Sequence, residues 1–343
     1  MCLSKTRRCW IVTMCMLSPL LCAAQQIGPH FISFQVPGAE QTLPMSVNDS
    51  MTVTGSFINQ GEVTEGFFRT AEGDITTFMV PGSTRTSPVA VNAAGEIAGN
   101  SVDASADFYG FVRYPNGSIA AFNPGGKYPG LTSVAGINKE GTIVGVYAPT
   151  NGVPPEHGFI RSVNGAITTF DVPGSDRTQP AGINVAGEVA GIYWFDNDHH
   201  QAGFIRSANG NITTFPGTPV GINAEGSIAG WYLPAGVSVL PGESAEGFVR
   251  SPTGAINLFG FPAVLIFPYM GISEVGSVFA NISYAGQYPL TGHGVFLRNA
   301  NGTTTSFIIP GSITTTATSI NSLDVITGNY YDAAGIFGFL WTR

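Results

Sequence analysis

Charge is what this chain has least of. Of 343 residues, 14 are Lys or Arg and 22 are Asp or Glu, 10% together, against roughly 25% in ordinary soluble domains. With Lys, Glu and Arg so scarce, and with 45 Gly and 23 Pro spread along the chain, a helical bundle or coiled coil is excluded. No basic stripe is present and the formal net charge is −8, which excludes nucleic acid as a partner. Cysteine is missing after Cys22: Cys2, Cys9, Cys15 and Cys22 are the only four. No apolar run reaches the ~20 residues that span a bilayer. Catalytic signatures are missing as well. There is no Gly-x-Ser-x-Gly elbow, Walker loop, dinucleotide glycine pattern, His-Glu-x-x-His helix or Asp-box turn. What remains is 43% hydrophobic residues, enough for a large core and incompatible with global disorder.

The first 24 residues read as an address. Lys5, Arg7 and Arg8 form a basic start, Trp10 to Leu21 an apolar stretch, and Cys22-Ala23-Ala24 a small-residue cleavage site before Gln25. The expectation is a cleaved secretory signal over 1–24 and one domain over 25–343. An uncleaved anchor is disfavoured by the short apolar stretch, and a lipoprotein signal by Leu21 before Cys22. Cleavage removes every cysteine and three bases, taking the formal charge from −8 to −11. The expected location is therefore secreted, periplasmic or extracellular, for a monomer with no transmembrane segment in its mature chain and no disulfide to hold it.

The rest of the chain is one unit written repeatedly. Gly158 to Tyr193, GFIRSVNGAITTFDVPGSDRTQPAGINVAGEVAGIY, is the clearest copy. The Gly-Phe-x-Arg element recurs at Phe67, Phe111, Phe159, Phe204 and Phe248, more loosely at Phe296, and last at Phe339, with spacings of about 45 residues. The Ile/Val-Asn element recurs at Asn48, Asn92, Asn138, Asn184, Asn223, Ser273 (degenerate) and Asn321. Each unit reads as four short strands. Asn-Gly, at Asn116, Asn164, Asn209 and Asn301, turns the first into the second. The second strand, of ITTF type, suits a pleated surface and stops at Pro-Gly. The third ends at Ile-Asn, and Asn-x-x-Gly leads into the fourth, Ile-Ala-Gly-x-Tyr. Gly99, Gly145, Gly191, Gly230 and Gly328 occupy one position there, which leaves room for a close neighbour.

Four strands per unit and seven units predict an all-β fold, a seven-bladed β-propeller of four-stranded blades. The chain opens on a second strand, Phe31 to Pro37, and ends on a lone first strand, Gly338 to Arg343. The expectation is a ring closed by the C-terminal strand completing the first blade.

The repeated Gly-Phe-x-Arg, Gly-Ile-Asn-x-x-Gly and terminal Gly-Phe-Leu-Trp pattern resembles the bacterial HAF family of extracellular repeats. His157-Gly158-Phe159 keeps the His and Phe of the His-Ala-Phe step that names the family, with Gly between, and the other units mostly lack the His. The resemblance covers Phe31 to Arg343. It implies an exported location and a propeller-like architecture, and it transfers no catalytic or binding residue.

Three sets of side chains are candidates for chemistry. Arg69, Arg113, Arg161, Arg206, Arg250 and Arg298 stand at equivalent positions and could ring the axis to hold a uronate or phosphate. The favoured alternative is that each ties down its own hairpin or a neighbouring blade edge, because periodic residues usually serve the repeat. Trp194, Trp231, Tyr232 and Tyr331 follow the fourth strand and could stack on sugar rings. Buried between blades they would be packing, and alternation along the strand leaves both readings open. Asp196, Asp198, His199 and His200 could ligate a cation, Ca²⁺ through the carboxylates or a transition metal through the imidazoles. No partner residue completes a shell, so a solvated loop is favoured and no cofactor is expected.

The functional expectation is a binding or scaffolding module for a carbohydrate or cell-envelope component. The alternative is a polysaccharide lyase or glycoside hydrolase, which needs two acidic or His groups converging in one pocket. A third reading is a purely structural repeat protein with a channel plugged by repeat side chains.

Overall fold

The computed structural model describes residues 30–125, 130–149, 155–232, 245–262, 264–283 and 293–343. The expected signal, 1–24, lies outside them. Among the described residues the chain is strand and turn, with no helix. The strands form four antiparallel sheets of four strands and one sheet of twelve.

The sheet of Leu131–Ile137, Ile143–Ala148, His157–Arg161 and Ile167–Phe170, paired in that order, shows how the repeat folds. Its first strand carries a register shift between Val134 and Gly136, beside the pairing of Val134 with Gly145. The glycine makes this close approach possible. A Cβ on Gly145 would sit 2.1 Å from the Ser133 carbonyl oxygen and 2.7 Å from the Phe159 ring. The same bulge recurs between Pro180 and Gly182, next to the pairing with Gly191. The Asn164-Gly165 turn has Gly165 at φ +88°, a conformation open to glycine and strained for other residues.

Sheet boundaries fall half a unit away from the repeat as read from Gly-Phe-x-Arg. The strand ending at Ile-Asn begins each sheet, and the ITTF strand ends it. The C-terminal strand, Gly335–Thr342, accordingly does not complete the first sheet. It pairs with Ile326–Asp332 on one side and receives the N-terminal strand, His30–Phe34, on the other, with His30 opposite Thr342 and Phe34 opposite Gly338. A repeat can be cut at any point in sequence, and antiparallel pairing between successive strands decides which cut is a sheet. The twelve-stranded sheet consists of three such antiparallel groups joined by single parallel pairings, His293 with Thr314 and Gln41 with Ile336.

The core lies between sheets. Phe67, Phe111, Phe159, Phe204, Phe248 and Phe339 are fully buried, each contributing about 1.5–3 kcal/mol by leaving water. Each meets the outermost-strand phenylalanine of the preceding group edge-on. Phe170 and Phe204 have centroids 6.0 Å apart, Phe122 and Phe159 5.8 Å, Phe307 and Phe339 6.4 Å, and Phe34 and Phe67 6.2 Å. Edge-to-face contact is the favoured arrangement of two aromatic quadrupoles.

Candidate functional site

The first strands of the groups line one cavity of about 300 Å³. Met45 to Val47, Val89 to Val91, Ala135 to Ile137, Ala181 to Ile183, Val220 to Ile222, Met270 to Ile272 and Thr318 to Ile320 all contribute. Val47, Val91, Ile137, Ile183 and Ile320 also line a second cavity of about 400 Å³. These β-branched residues form an apolar collar between the two. The second cavity is a basin, walled by Asn48, Asn92, Asn138, Asn184 and Asn321 and rimmed by Asp49, Ala93, Lys139, Val185, Ala224, Glu274 and Ser322.

The asparagines are buried and their amides are committed. Each Oδ1 caps its own turn: that of Asn138 accepts from Thr142 N at 2.9 Å, and that of Asn321 from Val325 N at 2.9 Å. Each of several Nδ2 groups reaches the next unit. Asn48 donates to the Asn92 carbonyl at 2.9 Å, Asn92 to Asn138 at 3.2 Å, and Asn138 to Asn184 at 3.0 Å. Asn321 donates to the Asn48 carbonyl at 3.0 Å. Asn184 departs from the pattern and donates to its own Glu188 carboxylate at 2.8 Å. The degenerate Ser273 donates to Asp324 Oδ1 at 3.1 Å. The wall of the basin is thus a hydrogen-bonded belt, and the groups left facing solvent are those of the rim.

The six periodic arginines stand elsewhere. Arg206 lies with its Cζ 5.1 Å from the centre of the Phe170 ring and donates to the Ser207 carbonyl at 3.3 Å. Arg161 covers Phe122 at 5.0 Å, Arg250 covers Phe215 at 5.0 Å and Arg298 covers Phe259 at 5.1 Å. Arg69 covers Phe34 at 5.2 Å, and Arg113 covers Phe68 at 4.7 Å and Phe78 at 5.2 Å. Burial lowers the pKa of Arg69 and Arg113 from the usual arginine value. None of the six lines either axial cavity. At the last unit Trp341 takes the arginine's place and stacks on Phe307, centroids 4.4 Å apart and 2° from parallel. A flat cation or a flat indole serves equally as the cover of that phenylalanine.

The aromatic candidates are dispersed too. Trp194 is half-buried under Arg177, whose Cζ is 5.4 Å from its ring. Trp231 packs against the cluster of Met270, Ile282 and Phe296, and Tyr232 against that of Phe215, Ile228 and Phe248. Tyr331 is 44% exposed. The four belong to three separate groups of strands and line neither axial cavity.

Asp196, Asn197 and Asp198 take φ of 59°, 54° and 64°, a run of left-handed residues that Asn and Asp tolerate better than most. Arg177 Nε donates to Asp198 Oδ1 at 2.9 Å, and Asp198 N donates to Asp176 Oδ2 at 3.2 Å. That bond from Arg177 holds the Asp198 carboxyl below its ordinary pKa, and the same bond raises Arg177. His200 Nδ1 lies 3.3 Å from Asp196 Oδ2, and the His200 ring stacks on Phe195. His199 N donates to the Asp196 carbonyl at 3.2 Å. Among the described residues no three His, Cys, Asp or Glu side chains converge as a metal shell.

No protein-family model matches the chain, and no curated protein matches it in sequence. Solved structures match it in shape. The β-propeller domain of the Trilobed protease from Pyrococcus furiosus, described as having an open velcro topology, aligns with a TM-score of 0.62 at 10% identity, over 90% of this chain and 94% of that one. Puromycin hydrolase aligns with a TM-score of 0.51 at 10% identity, over 88% of this chain and 52% of that one. The tricorn protease aligns with a TM-score of 0.51 at 12% identity, over 90% of this chain and 34% of that one. Likeness at such identities shows a fold and nothing of activity, and the fold is that of a β-propeller.

Proposed function

We propose that this chain is an exported seven-bladed propeller, closed where its two ends pair, that acts as a binding or scaffolding module. Its ligand is a carbohydrate or cell-envelope component taken at the axial basin. The single observation that carries the binding reading is the basin itself, about 400 Å³ over an apolar collar and an amide wall, a size and lining suited to a small ligand. Closure is supported by the pairing of His30–Phe34 with the C-terminal strand and by the bond from Asn321 to Asn48. The leader and the resemblance to HAF-type repeats support export.

A lyase or hydrolase would need two free acidic or His groups facing one bond. At the basin rim, Asp49 and Glu274 instead accept backbone N–H groups of Ser322 and Ala224. The test is a thermal-shift screen of residues 25–343 against a glycan and polysaccharide panel, because a ligand that binds only the folded state raises the melting temperature. A hit recovered unchanged supports the module, cleavage of the hit replaces it with the enzyme, and silence across the panel leaves the purely structural repeat protein.

A further inference from the structure

Two sheets carry an arginine at the same place in their first strand, with different surroundings. In the sheet that begins with Arg177–Ile183, register sets Arg177 opposite Trp194 and Trp194 opposite Gln201. The Arg177 guanidinium covers the Trp194 indole at 5.4 Å and donates to the Asp198 carboxylate at 2.9 Å. On the same side, Gln201 Nε2 donates to Thr218 Oγ1 of the next sheet at 3.2 Å. A ring, a carboxylate and the arginine between them therefore occupy that side of the sheet.

In the sheet that begins with Ser83–Val91, the same register sets Arg85 opposite Val102 and Val102 opposite Phe108. Valine stands where the other sheet has its indole. The Arg85 guanidinium has no ion pair, hydrogen bond or aromatic ring among the described residues. A cavity of about 200 Å³ opens there, between Arg85, Val102 and Phe108 of this sheet and Leu131 and Ser133 of the next. Asn100 lines it as well. Its Oδ1 accepts from Val134 N at 2.8 Å, and its Nδ2 has no protein acceptor. The equivalent Asn281 differs, because both ends of its amide meet Ala317, each at 2.8 Å. Asp103 and Asp107 adjoin Val102 and Phe108 in sequence, so alternation turns them to the other side of the sheet. Asp103 Oδ1 accepts from Ser105 N and Asp107 N, and neither acid lines the cavity.

We propose that this cavity is a binding site for a small aromatic carboxylate. The ligand supplies from outside what Trp194 and Asp198 supply to Arg177 from within the chain. Its ring lies against Val102, Phe108 and Leu131 with the guanidinium over it, and its carboxylate meets Arg85 and Asn100 Nδ2. An apolar cavity of about 150 Å³ holds benzene, so about 200 Å³ holds one ring with its carboxylate. The site lies between two sheets and shares no residue with the axial basin, so it stands independently of the basin reading.

The experiment is calorimetric titration of the full mature chain with benzoate, benzyl alcohol and acetate, on wild type, Arg85→Gln and Val102→Trp. Benzoate is expected to bind, and benzyl alcohol and acetate to bind roughly tenfold more weakly or worse. Arg85→Gln is expected to weaken benzoate about tenfold, the loss of one charge-assisted bond. Val102→Trp sets an indole beneath Arg85 as Trp194 stands to Arg177. It is expected to abolish benzoate binding without lowering the melting temperature. If that variant melts below wild type, Arg85→Gln decides alone, since Arg85 is exposed and its loss leaves the fold intact. Benzyl alcohol bound as tightly as benzoate overturns the carboxylate contact, and acetate bound as tightly overturns the ring. Benzoate binding untouched by Arg85→Gln overturns the site, as does the absence of benzoate binding. The glycan panel reports on the basin separately, so either reading can fail without the other.

Discussion

Because residues 25–343 contain no cysteine, the pairing of the two ends can be tested by a single engineered crosslink. His30 lies opposite Thr342 in the antiparallel pair of end strands, and Thr342 Oγ1 donates to the His30 carbonyl at 3.4 Å across a separation of 312 residues. Opposed residues of an antiparallel pair have Cα atoms about 4.5–5.5 Å apart, inside the range of about 4.4–6.8 Å that a disulfide bridges. The double variant His30→Cys with Thr342→Cys should therefore oxidise to an intramolecular disulfide. Chain-entropy arithmetic for so long a loop gives about 5–6 kcal/mol, of which about 2–4 kcal/mol is usually realised. At about 2 °C per kcal/mol for a chain of this size, the melting temperature should rise by about 4–8 °C and fall back on reduction. The assays are mass spectrometry for the loss of two hydrogens and thermal melts with and without dithiothreitol. If the thiols stay free under mild oxidation, or if only intermolecular crosslinks form, the ends are not paired and the closed ring is wrong.

Four further substitutions test the local structure described. Arg206→Ala removes the cover of Phe170 and a bond to the Ser207 carbonyl. Thermal melts should show it destabilised by about 1–2 kcal/mol, while glycan binding is unchanged, and loss of binding at full stability would make the arginine a ligand. Gly145→Ala pushes a methyl into the Ser133 carbonyl at 2.1 Å, and the yield of folded protein should collapse. Gly117→Ala, at φ +88° in open space, should cost only about 1–3 kcal/mol of backbone strain. Asp198 has its folded pKa lowered by Arg177, so its stabilisation is present above the ordinary carboxylate pKa and fades as pH falls through the lowered value. In acid titrations of stability, wild type and Asp198→Asn should converge on that side. Addition of Ca²⁺ should leave both unchanged, because the Asp198 carboxylate is already engaged by Arg177.

Local structure was legible because it depends on residues close in sequence. Asn-Gly and Asn-x-x-Gly place a glycine where φ must be positive, and Gly95, Gly117, Gly165 and Gly226 all have it there. The β-bulge glycine was legible for the same reason, as a position where a side chain would strike the adjacent strand. What a single unit does not reveal is how it meets the next. Periodicity already points the arginine to a role in the repeat, but its partner, the phenylalanine of the preceding unit, shows only when two units meet. Even so, a signal was present: wherever Gly-Phe-x-Arg recurs, a Phe ends the ITTF strand before it, and the last unit replaces the arginine with Trp341. A residue that can be exchanged for an indole without loss of its stacking partner is held there for its flat face, and only secondarily for its charge.

The basin rim inverts that lesson. Periodicity marks what the repeat needs, so what sets one unit apart from the next lies where periodicity fails. The residue after each Ile/Val-Asn is Asp, Ala, Lys, Val, Ala, Glu and Ser in turn, which in sequence looks like noise in a turn. The structure gives it a direction, since the amide of Ser322 points to Asp49 and that of Ala224 to Glu274. Once the direction is fixed, Asp49 closes the donor of Ser322 and Glu274 that of Ala224. Two acids thus close two of the rim donors, and the rim is where the repeated units differ most from one another.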